Sequence, residues 1–157
     1  ESIAWDYRGS KMSRAKIHEE IVIDEVIDEV WRVMGDFGDM SPWFPSAQQC
    51  SVTGTGIGAV RRLQMPDGGV LFEEQVERVE QEQYTYKIID GEVPFSDYSS
   101  CFRVVAEGDA TRVIWTADFI PTAGAEESAV AFVTSVYRGG LEGGKALLEE
   151  NVKTQLL

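Results

Sequence analysis

The residues best placed to do chemistry in this chain are an arginine and a glutamate on either side of a tight turn. In RRLQMPDGGVLFEEQ, Arg61 to Gln75, the run Pro66-Asp67-Gly68-Gly69 signals a β-hairpin between two apolar-patterned segments. With Asp67-Gly68 as a two-residue loop, Met65 faces Val70, Leu63 faces Phe72, and Arg61 faces Glu74. Side chains alternate across a strand, so this set shares one face, apolar except for Arg61 and Glu74. The other face carries Arg62, Gln64, Leu71 and Glu73. Opposite charges on an inward face must be paired or wetted. They act either as a cross-strand ion pair that fixes register, or as a polar spot in an apolar cavity that orients a carbonyl and moves a proton. A bulge at the nearby glycines would instead turn both residues outward.

Other candidate chemistries fall away on spacing. Gly54, Gly56 and Gly58 form G-x-G-x-G and run into the strand-like AVRRLQM, whereas a dinucleotide site needs G-x-G-x-x-G opening a helix. The Gly143-Gly144-Lys145 run precedes Ala146, not the Ser or Thr of a P-loop. Cys50 and Cys101 lack C-x-x-C spacing and read as reduced core residues. With His18 the single histidine, and on the polar parity of its strand, no metal site is expected. Fourteen basic against 27 acidic side chains leave a formal charge of −13, which repels nucleic acid and anionic membranes. The absence of a run of about 18 apolar residues argues against membrane insertion, and a cytoplasmic location is expected.

The elements that must position the pair can be read along the 157 residues. Residues 1–11 show no clear period and are expected to be a leader, disordered or added to the natural chain, with Met12 as the start of a single domain over 12–157. Ile17, Glu19, Ile21 and Ile23 share the parity of a first strand. Asp24 can cap a helix carrying Ile27, Val30, Trp31 and Met34, and Asp39 to Phe44 reads as a short second helix or turn. Six strands separated by turn signals are expected between Ala47 and Pro121, then a helix from Gly124 to about Lys153. Within the strands, Tyr84, Tyr86 and Ile88 share a face, as do Tyr98, Ser100, Phe102 and Val104, and Val113, Trp115, Ala117 and Phe119. The last helix has a broken apolar stripe of Val130, Val133, Tyr137, Leu141, Leu148 and Val152. Its glycines at 139, 140, 143 and 144 read singly as kinks or close contacts, and together as a loosely filled interior.

IVIDEVIDEVWRVMGDFGDMSPWFP, GIGAVRRLQMPDGG, FEEQVERVE, DYSSCFRVV and RVIWTADFIP resemble the polyketide cyclase/dehydrase-like branch of the SRPBCC (START/birch-allergen-like) superfamily. The resemblance spans about Ala15 to Val152 and is specific for fold rather than for function. It implies an α+β helix-grip fold: a seven-stranded antiparallel sheet wrapped around a long C-terminal helix, two short helices after the first strand, and an enclosed hydrophobic cavity. The implied activity is cyclisation, dehydration or isomerisation of a hydrophobic, polyketide-like molecule by a lyase or isomerase without a cofactor. The alternative is a non-catalytic carrier or sensor of such a ligand. On the enzyme reading Glu74 accepts the proton and Arg61 holds the developing enolate oxygen. Tyr86, Tyr98 and Trp115 shape the cavity, Trp43, Phe44 and Tyr137 form its mouth and helix wall, and Leu63, Phe72, Phe102 and Leu141 complete the lining. The segments Met65–Val70 and Gly91–Ser96 are placed like the gate and latch of the similarly folded plant abscisic acid receptors. GEVPFSDY lacks the His-Arg-Leu latch, so hormone sensing is not implied, and Glu25-Val26 replaces the usual Ala-Pro before the first helix. The only expected partner is the small molecule, with the chain a monomer or a dimer.

Overall fold

The computed structural model describes residues 13–47 and 49–156, so the expected leader at 1–11 lies outside the described residues. Seven strands form one antiparallel sheet: β1 (Ala15–Ile23), β2 (Gln49–Thr53), β3 (Val60–Gln64), β4 (Val70–Val79), β5 (Gln83–Asp90), β6 (Phe95–Glu107) and β7 (Ala110–Pro121). Two helices accompany them, α1 (Ile27–Met34) and α2 (Glu126–Leu156). The sheet order is β1-β7-β6-β5-β4-β3-β2, so β2 to β7 form a meander of hairpins and β1 closes onto β7. Strict alternation builds the core face. Along β7, Val113, Trp115, Ala117 and Phe119 are buried, while Arg112, Thr116 and Asp118 keep contact with solvent. A sheet with one apolar face needs a cover, and α2 supplies it, packing chiefly on β1 and β7; this is the helix-grip fold.

Two local expectations are corrected, and the alternative left open at Asp39 to Phe44 is decided in favour of a turn. Helix α1 begins without a side-chain cap: its N-cap is Val26, and the Asp24 amide instead donates to Glu149 at 2.8 Å. The second short helix is a single turn, in which the amides of Trp43 and Phe44 both donate to the Met40 carbonyl before Pro45. The β3–β4 loop has three residues, not two. The Met65 amide donates to Gly69 at 2.8 Å and the Gly68 amide donates back to Met65 at 3.0 Å, with Gly68 at φ 88°. This is a type I turn with Pro66 and Asp67 at its centre, followed by a left-handed glycine. The extra residue moves β4 by one position: Arg61 opposes Glu73, Leu63 opposes Leu71, and Val60 opposes Glu74. Phe72 and Glu74 therefore point away from the core, and the Glu74 carboxylate lies 3.9 Å from Lys87.

Three of the four glycines of α2, Gly140, Gly143 and Gly144, do not leave space; Gly139 alone has nothing within 4 Å of its Cβ position. A Cβ at Gly143 would lie 2.3 Å from the Trp43 carbonyl oxygen, one at Gly140 would lie 2.8 Å from the rings of Phe44 and Trp115, and one at Gly144 would strike Met34 at 2.4 Å. They allow the helix to press against the 40–45 turn and α1. The buried stripe of the helix includes Ala129, Val133, Tyr137, Leu141 and Leu148, whereas Val130 faces out.

Candidate functional site

Where the side chains of α2 are large, an internal cavity of about 40 Å³ separates helix from sheet. Its apolar wall includes Leu63 and Met65 from β3 and the turn after it, Ile88 from β5, Phe95 from β6, and Phe132, Val133 and Val136 from α2. Four polar side chains break this wall: Glu73, Tyr86, Tyr98 and Tyr137. The volume admits about one or two water molecules. Met65 and the half-exposed Phe132 stand where the cavity approaches the surface.

Glu73 is positioned by its strand and by its partner. Inward parity on β4 aims it at the core, beside a register shift between Phe72 and Glu73 that adds a residue to β5. Arg61 Nε donates to its carboxylate at 2.7 Å, and the two residues are 0% and 4% exposed. The guanidinium packs 4.2 Å from the Phe37 ring centre and 4.6 Å from that of Tyr86. Its Nη1 reaches the Phe37 carbonyl and the Tyr84 hydroxyl, each at a long 3.4 Å. Arg61 Nη2 is buried with no hydrogen-bond partner among the described residues, as is Trp43 Nε1. Aromatic faces around Nη2 offset part of that cost. Burial opposes the charge on Arg61, but the Glu73 carboxylate and the Tyr84 and Tyr86 oxygens together outweigh it, and the guanidinium stays ionised. Burial pushes the Glu73 carboxyl above its ordinary range, against the pull of Arg61. The result is a carboxylate with raised proton affinity facing an apolar space.

On the other side of the cavity the three tyrosines are joined. Tyr86 and Tyr98 hydroxyls are 3.3 Å apart, Tyr98 is in close hydrogen bond with Tyr137, and Tyr137 meets Ser100 Oγ at 2.7 Å. Trp115 Nε1 lies 3.1 Å from both Tyr86 and Ser100, and its ring stacks on Tyr137 with centroids 4.1 Å apart. Burial raises the proton affinity of all three, Tyr98 to about 12, so each keeps its proton at neutral pH.

The structure thus gathers Phe44, Leu63, Tyr86, Tyr98, Trp115 and Tyr137 of the expected set around one cavity. Trp43, Phe102 and Leu141 are buried in the core rather than in the cavity wall, so Trp43 is not part of a mouth. Phe72 and Glu74 are on the far face of the sheet, for the register reason above. Arg61 is buried where expected but stands behind Glu73, outside the wall, which removes it from contact with a developing oxyanion. Sequence reasoning missed Glu73, Leu71, Met40 and Phe37. The first two were recoverable from the Pro-Asp-Gly turn signature; the last two sit in an aperiodic segment that carries no such signal.

A closed apolar cavity under a helix-gripping sheet defines a hydrophobic-ligand-binding fold. Sequence comparison gives the same class. The chain matches the family described as "Polyketide cyclase / dehydrase and lipid transport" over residues 14–149, and it belongs to that family, within the SRPBCC superfamily. No curated protein sequence matches it. Among solved structures it is similar to the protein XoxI of Bacillus cereus, with 27% identity, a TM-score of 0.80, and coverage of 87% of this chain and 98% of that one. An uncharacterised protein of Bacillus thuringiensis is 29% identical with a TM-score of 0.78, covering 85% of this chain and 99% of the other. Truncated norcoclaurine synthase of Thalictrum flavum shares the fold at 15% identity and a TM-score of 0.72, over 87% of this chain and 94% of that one. No helix among the described residues is long and apolar enough to cross a membrane.

Proposed function

We propose that the protein binds a hydrophobic, polyketide-like small molecule in the cavity and catalyses its cyclisation, dehydration or isomerisation by proton transfer at Glu73, without a cofactor. The observation that carries this reading is the Glu73 carboxyl, buried in an apolar wall with raised proton affinity and held in place by Arg61. In such a setting a carboxylate takes a proton from carbon or oxygen more readily than in water. General base catalysis of this kind contributes about 10²–10⁴-fold. The Tyr86 hydroxyl would meet the oxygen on which charge develops, and Arg61 acts as a positioning residue by fixing the carboxylate. Ligand entry requires the side chains at the mouth, Met65 and Phe132, to swing aside.

A carrier is the second reading, favoured by the stacking of Arg61 on Phe37 and Tyr86, which would suit an ion pair that only holds β3 to β4. Native mass spectrometry of protein purified from its own source identifies a co-purifying compound. That compound is then offered to wild type and Glu73→Gln. Binding by both, with turnover lowered about 100-fold or more in the variant, supports the enzyme. Binding by both with no turnover by either leaves a carrier.

A further inference from the structure

The hydrogen-bond network beside the cavity has a direction, and the direction selects the ligand. Ser100 Oγ lies 2.9 Å from the Thr116 carbonyl oxygen, which can only accept, so the one proton of Ser100 is committed there. Its lone pairs then receive the Tyr137 hydroxyl and share with Tyr86 the one Trp115 Nε1–H, which can only donate. With the Tyr137 proton given to Ser100, the close contact to Tyr98 requires Tyr98 to donate to Tyr137. The Tyr98 proton is then also spent. At the 3.3 Å contact with Tyr86, Tyr86 is the only possible donor. Protons therefore point from the cavity wall inward along the chain to the Thr116 carbonyl.

What reaches the cavity follows by counting. Tyr98 and Tyr137 can offer only lone pairs, and the Glu73 carboxylate, with one oxygen taken by Arg61, can only accept. Tyr86 alone holds a proton that can turn toward a ligand, because its bond to Tyr98 is long. A carbonyl or ether oxygen would find one donor and would leave Glu73 facing apolar atoms. A hydroxyl gives its proton to an acceptor and receives that of Tyr86. An ammonium could donate but not receive, and it would bring a second cation to a carboxylate that Arg61 already neutralises.

We propose that the cavity holds its ligand by a hydroxyl group, a phenol or an enol, in preference to a carbonyl or ether oxygen. This inference rests on the cavity being the ligand site, as proposed above. The test uses three small aromatic probes on the full-length protein at neutral pH, with affinities from titration calorimetry: para-cresol, para-methylanisole and para-tolualdehyde. Burial of apolar surface alone ranks the ether above the phenol, so hydrophobicity works against the expected order. Cresol should bind at least about tenfold more tightly than either of the others, the scale of one hydrogen bond to a charged group. Ser100→Ala, checked for fold by circular dichroism, frees the Tyr137 proton for the cavity and should shrink that preference to about threefold or less. Ether or aldehyde binding as tightly as cresol overturns the inference while leaving the cavity reading intact. A full preference retained in Ser100→Ala overturns the directional argument. If no probe binds, the cavity reading falls, and the inference falls with it.

Discussion

The two halves of α2 pack in opposite ways, the first across a cavity from the sheet and the second tight against the 40–45 turn and α1. From Ala129 to Tyr137 the helix presents bulky side chains, and there the cavity lies. From Gly139 to Leu148 it carries four glycines, and that half contributes nothing to the cavity wall. Absent side chains would be expected to mark the void, but the reverse holds. Large residues keep the helix away from the sheet and enclose space they do not fill, whereas Gly140, Gly143 and Gly144 let it approach the 40–45 turn and α1 until backbone meets backbone at Trp43. The charged pair Arg61–Glu73 belongs to the open half, where the carboxylate has a space to act on. Each half should answer substitution in its own way.

The largest effect is expected at the ion pair. Arg61→Met keeps volume but leaves Glu73 buried alone, which should cost about 3–5 kcal/mol near neutral pH. The pH dependence has a definite sign. Burial raises the folded-state proton affinity of Glu73 above its unfolded value. The stability this carries is full below the ordinary carboxylate range and is lost as pH rises through the raised value. Urea unfolding of the variant should therefore show greater stability at about pH 5 than at about pH 8, once the trend of Glu73→Gln is subtracted. A loss under about 1 kcal/mol with no such trend would mean that water reaches the pair and the open half is not dry.

In the closed half, Gly143→Ala should lose about 1–3 kcal/mol, because the added carbon meets a carbonyl oxygen at 2.3 Å that cannot turn aside. Gly144→Ala makes an equally short contact, but with the end of the Met34 side chain, which can rotate away. Its melting temperature should stay close to that of the wild type. Equal losses at both positions would contradict the assignment of Gly143 to a backbone contact.

How much of this was legible in the sequence depends on the distance over which each feature is determined. Strand parity is local, so the inward placement of Tyr86, Tyr98, Ser100 and Trp115 follows from alternation alone. Arg61 also came out inward, because β3 precedes the turn. Everything on β4 depended on whether Pro66 closes a strand or opens a turn, and one residue there exchanged Glu73 for Glu74 and Leu71 for Phe72. Proline favours the first central position of a type I turn, and a following Asp-Gly supplies the rest, so the three-residue loop was the better reading. The helix glycines were illegible in a different sense. Their partners, Trp43 and Met34, lie far away along the chain, and nothing local distinguishes a glycine beside a void from one beside a carbonyl.

The smallest expected effect separates those two kinds of glycine within a single helix. Gly139 is next to Gly140, yet a Cβ built on it meets nothing within 4 Å, and its φ is not in the left-handed region. No packing reason for glycine exists there, so only the conformational entropy of the unfolded chain is at stake. Alanine reduces that entropy at no steric cost, and Gly139→Ala should gain about 0.5–1 kcal/mol. Gly140→Ala makes the same entropic gain but forces the rings of Phe44 and Trp115 from 2.8 Å, so it should end below wild type despite the better helix former. Opposite signs at adjacent positions, read from thermal unfolding of the two variants, would locate the edge of the close contact to one residue. Two stabilised proteins would show instead that the helix has room to move away from the turn at Gly140, and that the closed half is looser than its distances indicate.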